Sequence, residues 1–195
     1  HYMHVFVVLA GHEVNQIGDV NINDDVVTIG SDGLVTESKW VKGSDKKIYI
    51  QKFLGADNQD IYTDLFGSDI FPDIPSWSGE SDDSEKEDFA GEGIACLYIR
   101  MEYDADVFAE GIPLFTAKVQ GKKVYDPRTS TTAYSANAAL CIRDYLVSTY
   151  GLDNSGDVND TSFQAAANTC DESVTLSGGG TENRYEMNGA IGLDR

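Results

Sequence analysis

The sequence predicts an α+β fold that is β-rich, with mixed antiparallel sheets and two principal helices at about residues 136–150 and 161–171. Short runs rich in Val and Ile, separated by turn residues about every eight to twelve positions, predict antiparallel strands. Two later segments place apolar residues three and four positions apart, which is the spacing of one helix face. No apolar run approaches the roughly 20 residues that a membrane-spanning helix needs.

The first part of the chain, residues 1–66, is predicted to be β-rich. Val-rich or alternating runs predict strands at residues 2–9, 14–23, 26–29 and 47–54. Within the second of these runs, Gly18 and Asp19 interrupt the apolar residues, which suggests a hairpin. A single helical turn or a short helix is expected at residues 61–66.

The composition changes sharply at residues 67–93. Pro72, Pro75 and Trp77 are followed by SGESDDSEKEDFAGEG, in which Lys86 is the only base. The acids in this run are Glu80, Asp82, Asp83, Glu85, Glu87, Asp88 and Glu92. Self-repulsion and low hydrophobicity predict an acidic loop or insertion rich in Pro, Gly and Ser.

Residues 94–195 are predicted to form a third, α+β part. It has strand patterns at residues 94–102, 108–119, 174–176 and 184–188. The chain begins with His1 instead of Met, which favours one or two compact domains of a longer protein. Proline 127 lies between Asp126 and Arg128 and fixes its own φ, so it predicts a turn that ends a strand.

The stretch 119–151 contains the strongest helix signal. Residues 121–123 (GKK) between β-prone neighbours predict a hairpin, and Ser135 or Asn137 can cap the helix that follows. Gly151 stands where a left-handed C-cap is expected. Asp160 is expected to cap the second helix.

The formal net charge of −19 excludes two classes of partner. Binding to nucleic acid phosphates requires clustered Lys and Arg, and anionic membrane surfaces require the same. We therefore expect no nucleic acid partner and no membrane insertion by this chain. The alternative to a merely solubilising charge is that the acidic loop engages a cation or a basic partner protein.

The sequence contains no recognisable reaction centre. The histidines are His1, His4 and His12, so neither a Ser-His-Asp triad nor a Cys–His pair is expected, and the three cysteines predict free thiols. The 33 acids offer many carboxylate pairs for glycoside hydrolysis, but no spacing singles one out. Asp126 and Arg128 could form a buried ion pair. We interpret this pair as part of a structural turn and not as the site of a catalytic acid.

Two further motifs have some features of binding sites. The polar residues of the first hairpin resemble a calcium loop, but the EF-hand Gly and the terminal Glu are missing; these residues are Asp19, Asn21, Asn23, Asp24 and Asp25. The glycine run at residues 178–180 lacks the Lys and Ser or Thr of a phosphate-binding loop. We therefore predict no catalytic, cofactor-binding or metal-binding residue, no cofactor, and no enzyme activity.

Residues 119–152 (VQGKKVYDPRTSTTAYSANAALCIRDYLVSTYGL) resemble a signature of phage tail-tip attachment proteins, the lambda-like host specificity proteins that form the tail hub and central fibre. Its form there is GRKVYDPRTG…W/YSDNPALCLRDYLT…YGL. The resemblance continues in family order over nearly the whole chain, at HYMHVFVVLAGHEVNQIGDVNIND, Trp77, GIACLYIRMEY, VFAEGIP, FQAAANTCDESV and RYEMNG.

The sequence departs from that pattern at a few positions. Ser130 stands where the family usually has Gly, and Ala136 and Ala138 replace its Asp and Pro. The acidic insert at residues 79–92 is longer and more negative than the family predicts. These departures concern turn details and surface partners.

The resemblance implies a virion structural protein without chemistry of its own. Such a protein contributes to tail assembly and host attachment, contacts other tail-tip proteins, and is a homotrimer in the full-length assembly. It implies a location at the tail tip of the virion after folding in the bacterial host cytoplasm, for a phage or a prophage. The alternatives are a binding module that uses the acidic loop and, less favoured, a tail-associated cell-wall hydrolase.

Overall fold

The computed structural model describes residues 1–61, 65 and 91–189. The chain divides into two compact units, His1–Lys122 and Lys123–Arg195. Of the helical turn or short helix expected at residues 61–66, the structure describes only Ile61 and Leu65, both of them helical. Most of the acidic segment lies outside the described residues.

The first unit contains eight of the described strands. They are β1 (Tyr2–Ala10), β2 (Gln16–Ile22), β3 (Asp25–Val27), β4 (Val41–Lys42), β5 (Asp45–Lys46), β6 (Ile48–Leu54), β7 (Ala95–Glu102) and β8 (Phe115–Gln120). They form two three-stranded antiparallel sheets in the orders β1-β7-β6 and β3-β2-β8, and a small β4-β5 pair. A short 3-10 turn at Ser38–Trp40 precedes β4.

Strand β7 is the centre of the first unit. Successive side chains of a strand point to opposite faces of its sheet, and both faces of β7 are buried. Leu97 and Ile99 pack into one apolar cluster with residues of β2 and β6, whereas Cys96 and Tyr98 pack into a second cluster with Phe53. The first unit is therefore built around a strand that contacts core on both sides.

The second unit is small and contains both long helices of the described chain. Its elements are β9 (Lys123–Asp126), β10 (Thr131–Tyr134), α1 (Ala138–Val147), α2 (Asp160–Cys170), β11 (Ser173–Thr175) and β12 (Thr181–Asn183). Strands β9 and β10 form one hairpin and β11 and β12 another. The core is a cluster of Val124, Ala139, Leu140, Ala167 and Cys170. Its alanines let α1 and α2 approach closely, but they also leave little apolar area to bury.

The segment that follows α2 lies on the surface. Every residue from 171 to 189 is exposed. The C-terminal part of this segment is nevertheless held to the rest of the unit, because Tyr185 N donates to Cys170 O at 3.2 Å and Met187 N donates to Ala136 O at 2.7 Å. An isolated bridge between Asn137 and Glu186 adds a further link to the start of α1.

These elements confirm the predicted fold class. Strands account for 39% of the described residues and helices for 18%, in antiparallel sheets with two principal helices. The sequence analysis begins its third part at residue 94 because the composition changes there. The two compact units of the structure instead divide between Lys122 and Lys123. The reason is that β7 pairs on both sides with strands of the first part of the chain.

Two predicted hairpins are wrong. The turn at residues 121–123 does not pair its flanking strands, because β8 pairs with β2 and β9 pairs with β10. Gly18 and Asp19 lie inside the single strand β2, where they coincide with a register shift between Ile17 and Val20. Both segments have the composition of a turn. The strands that contain or flank them nevertheless pair with other strands than the predicted hairpins require.

The helix ends match the sequence only in part. Asn137 caps α1 as expected, since its side chain accepts hydrogen bonds from Ala139 N and Leu140 N. The cap of α2 is Asn159 and not Asp160. Helix α1 ends at Val147 without a left-handed Gly151.

Gly151 is required there for a different reason. A Cβ atom at this position would lie 2.5 Å from the carbonyl oxygens of Tyr145 and Leu146.

Candidate functional site

Five polar side chains of the second unit meet at the end of β9, and we call them the Arg128 network. Its members are Asp126, Arg128, Asn137, Asn168 and Asp171. They come from the turn after β9, the N-cap of α1 and the last residues of α2 with the position after it. The network therefore joins three elements that lie apart in the sequence.

Arg128 is the hub of these contacts. Its Nε donates to both carboxylate oxygens of Asp126 at 3.0 Å, and its Nη2 donates to Asp126 Oδ2 at 2.7 Å. Its Nη1 donates to Asp171 Oδ2 at 2.8 Å and to Asn168 Oδ1 at 3.1 Å. Only a planar guanidinium can present donors to two carboxylates in this geometry.

Asn137 connects the network to both helices. Its Oδ1 caps α1, and its Nδ2 donates to Ala167 O at 2.9 Å and to Asp171 Oδ1 at 2.8 Å. The residue is 5% exposed. Because one buried amide fixes the start of α1 and the end of α2, the two helix termini are held in a single arrangement.

The ionisation of the network is fixed by its own contacts. Hydrogen bonds from Arg128 lower the pKa of Asp126, and the bonds to Asp126 in turn raise the pKa of Arg128. Both groups therefore remain charged throughout the neutral range. A carboxylate held this way is a poor general acid or base, so the geometry stabilises structure and offers no proton for chemistry.

A second buried arginine fixes α1 to the start of α2. Arg143 is 5% exposed, and its Nε donates to Asp160 Oδ1 at 2.7 Å. Its guanidinium also lies 4.9 Å from the centre of the Tyr125 ring, which is a cation–π contact. Asp160, expected as a helix cap, serves instead as an ion-pair partner in the first turn of α2.

The stability of the second unit is expected to fall in acid. The lowered pKa of Asp126 stabilises the fold above its unfolded pKa of about 3.9, and this contribution is lost as the pH falls through the lower folded value. In urea unfolding followed by helix circular dichroism, the advantage of the wild type over Asp126→Asn is expected to be full at pH 7 and to shrink below about pH 4. Glu182→Gln, at an exposed position of β12, is the control for the loss of one carboxylate. A constant wild-type advantage down to pH 2.5 would contradict the assignment.

Ser130 closes the turn after Arg128 in the left-handed region, with φ of 56°. Since a side chain in this region costs roughly 1–2 kcal/mol, Ser130→Gly is expected to stabilise the second unit by about 0.5–1 kcal/mol after the entropic cost of Gly. The same change at Ser162, in α2, is expected to destabilise it by about 0.5 kcal/mol. Urea midpoints of opposite sign would confirm the prediction, and a loss of stability at both positions would contradict it.

The residues of the calcium-loop candidate are used in a turn and in an ion pair. Asn23 and Asp24 form the left-handed turn between β2 and β3, and Asp19 pairs with Lys118. Within residues 1–61 and 91–189, no group of three or more His, Cys, Asp or Glu side chains could hold a metal ion. The three cysteines are free; Cys96 and Cys170 are buried and Cys141 is partly exposed. Burial raises the pKa of Cys96 to about 11, which keeps its thiol protonated.

Sequence reasoning found the Asp126–Arg128 pair and the Asn137 cap, but it missed Asn168 and Asp171. Both lie on or just beyond the last turn of α2, but nothing in the sequence pairs them with Arg128. An arginine that accompanies a helix terminus is a natural partner for such residues. Their actual distance from Arg128 depends on how α2 packs, which no local pattern gives.

The second unit also exposes many large apolar side chains. Within its described residues these are Tyr125, Tyr134, Ile142, Tyr145, Tyr150, Leu152, Val174, Leu176, Tyr185 and Met187. Tyrosine and methionine are enriched in protein–protein interfaces, where an amphipathic ring can be buried with its hydroxyl satisfied. The exposed side chains of the second unit therefore include residue types that are common in contact surfaces.

Comparisons with known proteins do not assign the chain to a family. No protein-family model matches it. No curated protein matches it significantly. In the part of the chain that the structure describes, no helix has the length and apolarity to cross a bilayer.

Proposed function

We propose that the chain is a structural component of a phage or prophage tail tip, part of the hub region of a host specificity protein that contributes to tail assembly and host attachment. The observation that carries the proposal is the Arg128 network. Its residues come from the VYDPRT, SANAAL and AANTCDE runs on which the resemblance rests. Side chains from these three runs hydrogen-bond to one another and hold their segments in place. Contacts of this kind suit a structural protein.

The geometry of Ser130 supports the same proposal. The resembled pattern has Gly after DPRT, and Gly is the residue best suited to a left-handed turn. Ser130 adopts that conformation here, with φ of 56°. The turn therefore has the backbone geometry that the family residue favours, although the residue differs.

The proposed partners are other tail-tip proteins, together with two further copies of the chain in a full-length trimeric hub. The exposed tyrosines of the second unit supply apolar contact area for such an assembly. The proposed location is the virion tail tip. The chain would act through its surfaces and would not catalyse a reaction.

A gene deletion in the phage or lysogen that encodes the chain tests this proposal. We expect particles with missing or non-adsorbing tails, and antibodies against the chain should label the tail end of wild-type virions in electron micrographs. Complementation by the wild type and by Arg184→Met should restore adsorption, whereas Arg128→Met should not. Normal tails and normal adsorption after deletion would refute a tail-tip role.

The acidic-loop alternative concerns residues 79–92, of which only Gly91 and Glu92 are described. Deletion of this segment, followed by measurement of assembly and of calcium-dependent melting, tests it separately. No change in either would refute the loop hypothesis. Lytic activity on purified cell walls that a single Asp or Glu substitution abolishes would favour the hydrolase alternative over the tail-tip proposal.

A further inference from the structure

The segment after α2 contains one dipeptide with a specific chemical reactivity. Asn188 is followed by Gly189, and no other asparagine of the sequence precedes a glycine. The backbone nitrogen that follows an asparagine can attack the carbon of its side-chain amide, because the two atoms are held close together in the chain. A side chain on the next residue hinders this attack, whereas glycine has no Cβ and leaves the backbone free to rotate. The reaction is therefore favoured at Asn188.

The fold leaves this dipeptide accessible. Asn188 and Gly189 are exposed and lie outside the helices and strands. No described residue accepts a hydrogen bond from Gly189 N, and a Cβ atom built on Gly189 would meet no atom within 4 Å. Asn188 Nδ2 donates to Glu186 Oε2 at 3.5 Å, which is a long and weak hydrogen bond. Neither the nucleophile nor the amide is therefore held away from the other.

Other asparagines of the second unit are held by the fold. Asn154 is also exposed, but its Oδ1 accepts a hydrogen bond from Gly156 N and its Nδ2 donates to Asp157 Oδ2 at 3.1 Å. Asn137 is buried, and both ends of its amide are bonded to α1 or α2. An amide fixed at both ends is hindered from turning toward the nitrogen that follows it. Accessibility and sequence thus favour the same asparagine.

The dipeptide lies directly after a point where the exposed segment is anchored. Met187 N donates to Ala136 O at 2.7 Å, and Glu186 forms an isolated bridge with Asn137. A carboxylate at position 188 would replace the amide that now donates to Glu186. Two like charges at this distance repel each other, so the new charge would act against the anchor.

We propose that Asn188 is a site of spontaneous modification, at which the folded chain loses the side-chain amide and thereby loosens the segment that follows α2. Gly189 N forms a bond to Asn188 Cγ, the Cγ–Nδ2 bond breaks, and Nδ2 leaves as ammonia with the proton of the attacking nitrogen. Water then opens the cyclic imide at either carbonyl, which gives aspartate or isoaspartate and one new carboxylate. This inference goes beyond the proposed tail-tip function and does not depend on it.

Mass spectrometry of the full chain, incubated in its folded state at neutral pH, tests the site. Cleavage after Arg184 releases residues 185–195, in which Asn188 is the only asparagine. This peptide is expected to gain about one mass unit and to separate into two products, roughly tenfold faster than any peptide with another asparagine, because only Asn188 precedes a residue without a Cβ.

A matched pair of glycine variants identifies the nucleophile. Gly189→Val is expected to slow the conversion of Asn188 roughly tenfold, because its branched side chain hinders the backbone nitrogen. Gly178→Val is expected to leave the conversion unchanged. Neither glycine has a positive φ and a Cβ at either would enter open space, so both variants should fold as the wild type does.

Hydrogen exchange tests the structural consequence. Asn188→Asp introduces the new carboxylate, whereas Asn188→Gln keeps a neutral amide. The Met187 amide, which donates to Ala136 O, is expected to exchange faster in Asn188→Asp than in Asn188→Gln. The proposal would be overturned if Asn188 converts no faster than the other asparagines or if both glycine variants slow it equally. Equal exchange in the two Asn188 variants would overturn it as well.

Discussion

Replacement of Arg128 by methionine is expected to destabilise the second unit by about 3 kcal/mol, the lower end of the cost of breaking a buried ion pair. The side chain of Arg128 is 23% exposed. Its loss leaves the carboxylates of Asp126 and Asp171 without their counter-charge. The apolar core of this unit is small, so the loss is a large part of its stability. Urea unfolding followed at 222 nm measures it, because both long helices of the described chain lie in this unit.

The control for this variant is Arg184→Met. Arg184 forms an ion pair with Glu172 at 3.0 Å, but the two side chains are 46% and 52% exposed. Exposed pairs contribute about 0–1 kcal/mol, so this variant is expected to unfold close to the wild-type midpoint. If both arginine variants shift the midpoint equally, the Arg128 network does not have the role assigned to it. Arg128→Lys should fall between the two, since a single ammonium cannot reproduce the guanidinium contacts.

Leu97→Ala is expected to destabilise the first unit by about 3 kcal/mol, through lost apolar transfer energy and the cavity left behind. Leu97 is fully buried in the central strand β7 and belongs to the main core cluster. The strands on both sides of β7 hold its backbone in place, so the cavity cannot collapse easily. The fluorescence of Trp40, which is 4% exposed in the same cluster, follows the unfolding in a Trp77→Phe background.

Leu54→Ala is the matched control in the same sheet. Leu54 ends β6 and is 39% exposed, so the same chemical change is expected to cost less than about 1 kcal/mol. The helix signal of the second unit provides an internal reference in both variants. Equal destabilisation by the two leucine changes would mean that β7 is not the centre of the first unit.

The sequence predicted those parts of the fold that depend on neighbours along the chain. The three-to-four-residue spacing located both helices to within a few residues, and the Asn137 cap followed from the chemistry of its amide. Strand positions followed from Val and Ile content. The fold class was therefore accessible from local patterns alone.

Strand partners were not accessible in the same way. Strand β7 lies between β1 and β6, and the choice of those partners depends on which apolar faces fit together over long sequence separations. The residues near Gly121 have the composition of a hairpin turn, yet β8 and β9 pair elsewhere. Local turn chemistry permits a hairpin, but burial of both strands decides whether it forms.

The candidate site likewise contains one contact that local sequence predicts and others that it does not. Asp126 and Arg128 are two residues apart across a proline turn, so their pairing could be predicted. Asp171 reaches Arg128 only because α2 lies beside the turn that follows β9, and the spacing of the two residues in the sequence does not predict their contact at 2.8 Å. Long-range ion pairs are a product of the finished fold, and sequence periodicity does not specify them.

The exposed segment after α2 determines where the chain can be cut without loss of the fold. A protease that nicks the glycine tip at residues 178–180 would leave both flanking pieces attached, because the bonds of Tyr185 and Met187 hold the returning strand. The nicked protein should migrate as one species until it is denatured. A version shortened at Cys170, in contrast, loses Asp171 and the returning strand together. A minimal fragment for crystallisation must therefore extend beyond Met187.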